Sequence, residues 1–198
     1  QTMPDALDAL TKSLLQAATK AGADAADAMA ITASSVSIEV RGGALEQAER
    51  SEGTDIGLRV FVGQRSASVS ASDTSSRTIE EMAERAVAMA REAPEDPYSG
   101  LADPGQLSAR RDAEGLELYD ATPEPSPETL QDDAARAEAA ALAVKGVSQV
   151  QSAGAGYGAQ EIYLAATNGF EGGYARSERG LSCVAIAGSG TGMERDYD

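Results

Sequence analysis

Val36-Ser37-Ile38-Glu39-Val40-Arg41-Gly42-Gly43-Ala44-Leu45-Glu46 is the stretch that decides the fold class. Its β-branched residues recur every second position, the pattern of a strand with one buried face. Gly42-Gly43 suits a two-residue hairpin turn, which needs positive φ at both positions. Residues 44–52 then read as the returning strand. Upstream, Met29, Ile31 and Ala33 also alternate but out of phase with Val36, so a bulge or tight turn is expected at Ser34-Ser35. Downstream, a break at Gly53-Thr54-Asp55 precedes a second alternation through Ile56, Leu58, Val60 and Val62. Gly63-Gln64 leads into a Ser/Ala/Val run over residues 66–72, which completes an antiparallel meander.

Helical spacing flanks this meander on both sides. Leu7, Leu10, Leu14, Leu15 and Ala18 predict an amphipathic helix over residues 4–20 that packs on the protein's own core, with Gly22 as its stop. Ile79, Met82, Ala83, Ala86, Val87 and Ala90 predict a second helix over residues 79–91, with Thr78 and Glu81 as a capping box and Asp73, Ser75 and Ser76 as further cap oxygens. Residues 1–93 therefore read as one α+β domain. Residues 94–126 hold every proline except Pro4 and Pro127, with many acids and few apolar anchors, and read as an acidic connector. From Ser126-Pro127 an alanine-rich helix runs to Lys145-Gly146. Strand patterns follow over residues 147–153, 161–167 and 172–187, with Asn168-Gly169 as a hairpin signal. Residues 127–198 are thus the start of a second α+β region, and the abrupt extended ending leads us to expect the N-terminal part of a larger subunit. The fold class is α+β, an antiparallel or mixed sheet meander with packed helices.

Composition narrows the chemistry. The chain has 198 residues, no histidine and one cysteine, Cys183, so an internal disulfide is impossible and zinc or iron sites of the His/Cys kind are closed to it. No acidic cluster has the ligand spacing and glycine of an EF-hand loop. The 32 acids against 16 bases give a formal charge of -16, which repels phosphate backbones and argues against nucleic acid as a partner. With no leader pattern, no apolar run near ~20 residues and a lone cysteine, a cytoplasmic protein without a membrane partner is expected.

Four motifs invite a chemical reading, and for each the structural one is stronger. Asp73-Thr74-Ser75 faintly resembles the Asp-Thr-Gly loop of aspartic peptidases, but a carboxylate just before a helix serves more simply as a cap. Lys12, Lys20 and Lys145 could in principle activate a serine or threonine, yet none has a motif around it. Gly154-Ala155-Gly156-Tyr157-Gly158 and Gly188-Ser189-Gly190-Thr191-Gly192 look like phosphate loops. Neither is followed by a helix, so they read as flexible strand junctions or bulges. Cys183 alternates with Leu181 and Ala185 and reads as a small core residue.

Two blocks carry a family resemblance. The first contains residues 36–46, then Ser51-Glu52-Gly53 and Gly57-Leu58-Arg59-Val60-Phe61-Val62-Gly63-Gln64-Arg65, followed by a serine-rich strand and a helix. The second contains Ile162-Tyr163-Leu164-Ala165-Ala166-Thr167-Asn168-Gly169-Phe170-Glu171-Gly172 and ends on Met193-Glu194-Arg195-Asp196-Tyr197. Together they resemble the N-terminal and central parts of the TldD/PmbA family, with an Arg-Asp-Tyr ending closer to the PmbA (TldE) branch. The resemblance implies a two-subunit metallopeptidase acting on unfolded peptides. TldD supplies a His-Glu-x-x-x-His zinc motif, and the PmbA/TldE subunit, also labelled a modulator of DNA gyrase, lacks it. It therefore implies a non-catalytic chain with no catalytic or metal residue and no cofactor of its own. Its partner would be a TldD-like subunit holding zinc, or a second copy in a homodimer. Two alternatives stay open: the N-terminal part of a TldD-type peptidase whose zinc motif lies beyond residue 198, and a stand-alone protein-binding module. Arg195, Asp196 and Tyr197 are the candidates for groups that face a peptide channel.

Overall fold

A computed structural model describes residues 4–198. Its elements are α1 (Pro4–Ala21), β1 (Ala25–Arg41), β2 (Ala44–Val62), β3 (Arg65–Ala71), α2 (Ser76–Glu92), α3 (Pro127–Leu142), β4 (Val147–Ala166), β5 (Glu171–Ala187) and β6 (Glu194–Tyr197). The strands form a six-stranded sheet in the order β3-β2-β1-β4-β5-β6. The α+β class, with an antiparallel sheet and packed helices, is the one the sequence predicts.

The chain forms two compact units. Among the described residues, one comprises residues 4–33, 53–118 and 160–176; the other comprises residues 34–52, 119–159 and 177–198. Each of β1, β2, β4 and β5 is long enough to contribute one end to the first unit and the other end to the second.

In the first unit α1 and α2 pack on the sheet. Leu7, Leu14 and Ala18 of α1 meet Ile56, Leu58 and Val60 of β2, while α2 buries the six residues its spacing predicts, Ile79 to Ala90. Each large side chain buried in this way contributes about 1.5–3 kcal/mol. The strand beneath them departs from expectation. On β1 the buried residues are Ala26, Ala28 and Ala30, whereas Met29 is 39% exposed. Ala26, Ala28 and Ala30 share the parity of Val36, Ile38 and Val40, so there is no phase slip and no bulge or turn at Ser34-Ser35. The larger residues drew the sequence reading to the wrong face. The helices sit over alanine, whose small side chain leaves room for a close approach.

Two other predicted breaks are also absent. Gly53-Thr54-Asp55 lies within β2, held by contacts of the Thr54 hydroxyl with Thr32 at 3.3 Å and of Asp55 with the Ser72 hydroxyl at 2.6 Å. Gly154 to Gly158 lies within β4, so the glycines there are not the strand junction that the sequence suggests. The turns themselves occur where predicted. Gly42 and Gly43 have φ of 60° and 73°, and Gly169 has φ of 91° in the β4–β5 turn. The cap of α2 is Ser75, whose hydroxyl accepts from the Thr78 N–H at 3.3 Å. Glu81 pairs with Arg77 at 2.8 Å instead of closing a capping box with Thr78.

In the second unit α3 begins at the predicted Ser126 cap and buries Leu130 and Ala134 against Val36, Ile38, Val40, Ala153 and Ala155. Two acids are buried on the same helix. Asp133 bridges Arg136 and Arg179, and the guanidinium of Arg179, followed by that of Arg136, holds its carboxyl below the ordinary value. Glu138, 4% exposed, accepts the Gly42 and Gly43 N–H groups at 2.6 and 2.7 Å, a backbone nest closed around a carboxylate. Among the described residues no helix is long and apolar enough to cross a membrane.

Candidate functional site

Arg195, Asp196 and Tyr197 lie on β6, the strand that ends the sheet order. Its register with β5 pairs Ile186 with Arg195, Ala185 with Asp196 and Val184 with Tyr197. The Cys183 and Asp198 backbones add two further hydrogen bonds, at 2.7 and 3.1 Å. Alternation along a strand divides the three residues. Asp196 shares the face of Ala185 and lines a groove of about 470 Å³ with Ala137 and Ala141 of α3 and Cys183. Arg195 and Tyr197 share the other face. Arg195 donates to Gln151 Oε1 at 3.4 Å, and Tyr197 is 81% exposed.

A second feature of this unit is a trough of about 500 Å³, floored by Gly154, Gly156 and Gly158 and flanked by Glu39, Glu178 and Ser182. The glycines make it. A Cβ on Gly154 would meet Ser182 Oγ at 3.0 Å, and one on Gly158 would meet Glu178 Cγ at 3.6 Å. The trough therefore presents strand backbone between the Glu39 and Glu178 side chains.

The other predicted features are structural. Asp73 accepts from the Ser75 N–H at 2.9 Å and from the Ser75 and Thr78 hydroxyls, and these bonds, with Thr78 foremost, hold its carboxyl below the ordinary range. Lys12 pairs with Asp8 at 2.8 Å, which raises its pKa, and Lys20 lies 3.5 Å from Glu80. Cys183 packs half-buried against the second core, and burial pushes its thiol up, away from the nucleophilic form. Gly188, at φ 84°, ends β5 and opens the short turn to β6. Among the described residues no three His, Cys, Asp or Glu side chains are grouped to hold a metal ion.

The sequence reading missed Glu138 and the acidic rims of the trough. Glu138 had a readable signal, since it falls four residues after Ala134 and eight after Leu130 on the apolar stripe of α3. The trough had none, because three small residues on one strand face carry no mark of which side is open.

Residues 26–90 match the PmbA/TldA metallopeptidase domain 1, and residues 120–198 match the central domain of the same family. A metalloprotease PmbA homolog of Haemophilus influenzae is 32% identical over 188 residues, covering 93% of this chain and 40% of that protein. Metalloprotease PmbA of Escherichia coli O157:H7 is 32% identical over 177 residues, covering 88% of this chain and 38% of that protein. The chain thus spans about two fifths of the length of these relatives. The crystal structure of TldE from Thermococcus kodakarensis shares the fold, with a TM-score of 0.70 at 16% identity over 96% of this chain and 42% of that one. Two matching domains that cover most of the chain, and relatives aligned along nearly all of it, establish that this protein belongs to the PmbA/TldD family.

Proposed function

We propose that this chain is the non-catalytic, PmbA/TldE-like side of a metallopeptidase assembly that acts on unfolded peptides, with zinc held by a TldD-like partner subunit. The observation that carries the reading is chemical. A chain of this family with no histidine cannot form a histidine-based zinc site from these residues. Its domains would be residues 1–93, a connector at 94–126, and the start of the central region at 127–198. Its part would be to hold an extended peptide by main-chain hydrogen bonds along an open strand edge. Arg195 and Tyr197 on one face of β6 and Asp196 on the other would flank that peptide.

The test is to purify the full-length protein alone and together with a TldD-like subunit from the same source. Metal content and cleavage of an unfolded peptide are then measured for each preparation. The proposal expects zinc and cleavage only when the partner is present, both lost when the partner's zinc-binding motif is removed. Both relatives are named metalloproteases, and both extend well past the matched region. Stoichiometric zinc and peptide cleavage by the full-length protein alone would replace the proposal with a TldD-type peptidase. A stable pair that cleaves nothing would favour a binding module.

A further inference from the structure

The β4–β5 end of the first unit encloses a cavity of about 200 Å³, lined by Leu7 of α1, residues 161–163 of β4 and residues 173–175 of β5. Its shape depends on Gly173. A Cβ there would come within 2.6 Å of Tyr163 Cδ2 and 2.7 Å of the Ile162 carbonyl oxygen, so only glycine lets the Tyr163 ring lie across β5 as a wall. The preceding residue, Gly172, serves a different neighbour, since its Cβ would lie 2.6 Å from the Arg111 carbonyl oxygen. Gly172, the glycine that closes the first run of the second family-like block, and its neighbour Gly173 are thereby explained one residue at a time.

The side-chain walls are mostly apolar, from Leu7, Tyr163 and Ala175 with the Ile162 backbone between them, yet one carboxylate oxygen, Glu161 Oε2, is shielded from solvent without a hydrogen-bond partner. Buried acceptors seldom stand unsatisfied. The field around it is negative. Burial, then Asp8 and Glu171, push the neighbouring Tyr163 phenol up, and the cation opposing them, Lys12, is already paired with Asp8. Asp8 Oδ1 is itself buried and without a partner. A metal ion fits poorly, since no three ligating side chains converge among the described residues. An apolar pocket with one convergent acceptor in an acidic surrounding selects a cationic group on an aliphatic stem. A space several times a water's share of liquid volume can accommodate one.

We propose that this cavity binds an alkylammonium group, as carried by a lysine side chain or a peptide α-amine, with Glu161 Oε2 accepting from the ammonium. The site does not depend on the metallopeptidase reading.

The experiment titrates the full-length protein with three probes, Nα-acetyl-lysine N-methylamide, leucinamide and the uncharged Nα-acetyl-norleucine N-methylamide. Methyl NMR shifts of Leu7 and Ala175 report binding. One or both cationic probes are expected to shift these methyls while the norleucine probe binds at least about tenfold more weakly, and Glu161→Gln is expected to weaken cationic binding by roughly tenfold to a hundredfold. Ala175→Leu, which fills the cavity beside Glu161 while leaving the carboxylate in place, is expected to abolish binding of every probe. It supplies the decision should the Glu161 variant not fold. Response to the lysine probe alone identifies a side chain as the source, and response to leucinamide alone identifies a chain terminus. Equal binding of the norleucine probe, unchanged binding in Glu161→Gln or Ala175→Leu, or no shift with either cation would overturn the assignment.

Discussion

Replacing Glu138 by alanine tests whether one buried carboxylate ties the β1–β2 hairpin tip to α3. The carboxylate is 4% exposed and accepts two N–H groups, from Gly42 at 2.6 Å and Gly43 at 2.7 Å. A hydrogen bond to a charged group contributes about 1.5–3 kcal/mol, so two give roughly 3–6. The net value is smaller for two reasons. The turn residues are exposed, so their N–H groups regain water when the carboxylate is removed. The variant also no longer buries a charge, and alanine is the better helix former by a few tenths of a kcal/mol. We expect Glu138→Ala to cost about 1.5–3 kcal/mol in urea unfolding with an unchanged m-value. Hydrogen exchange at the Gly42 and Gly43 amides is expected to accelerate more than exchange elsewhere in the second unit. Glu138→Gln, which keeps the shape but has one carbonyl acceptor, is expected to fall between. A cost under about 0.5 kcal/mol, the scale of an ordinary surface substitution, or unchanged exchange at both glycines, would refute the clamp.

Further predictions use the same kind of local argument. The Asp73 pKa is depressed in the fold, so its contribution is present above the ordinary aspartate value of 3.8 and is lost as pH falls through the lower folded value; the difference in thermal midpoint between wild type and Asp73→Ala is expected at pH 7 and should close in strong acid. Gly173→Ala is expected to destabilise by about 1–3 kcal/mol, because backbone at 2.7 Å cannot give way. Gly180→Ala, with nothing near its Cβ, should be neutral or mildly stabilising, and chemical denaturation of the pair checks both. Ala30→Leu should cost about 1–3 kcal/mol by overpacking beneath the helices, whereas Met29→Ser on the half-open face should cost less than about 1 kcal/mol; the reverse order would restore the phase slip at Ser34-Ser35. The Cys183 thiol should react slowly with a disulfide reagent at neutral pH and fast once urea unfolds the chain, since burial raises its pKa.

Legibility followed the range of the interactions. The six buried residues of α2, the Ser126 cap and the turns at Gly42-Gly43 and Asn168-Gly169 were readable because a periodic stripe, a cap oxygen and a positive φ are each specified by a few adjacent residues. The spans of β1, β2 and β4 were not. Single glycines and serines look like breaks, but Gly53 and Gly154 stay extended because hydrogen-bonded neighbours run along both strands. A stretch without inward-facing apolar residues looks like a loop until its sheet neighbours are known.

By itself the sequence determined the α+β class, the helices with their buried stripes, the hairpin turns, the absence of histidine chemistry and the family. These depend on residue type and local spacing, which survive without coordinates. Only the tertiary structure decided that alanine rather than methionine underlies the first pair of helices and that Glu138 closes a backbone nest. It also placed Asp196 on the opposite strand face from Arg195 and Tyr197, and left Glu161 with an unpartnered oxygen beside an apolar cavity. The alanine floor, the Glu138 nest and the Glu161 cavity each join residues far apart in the chain through strand register and close packing, and none of the three is written in any short segment.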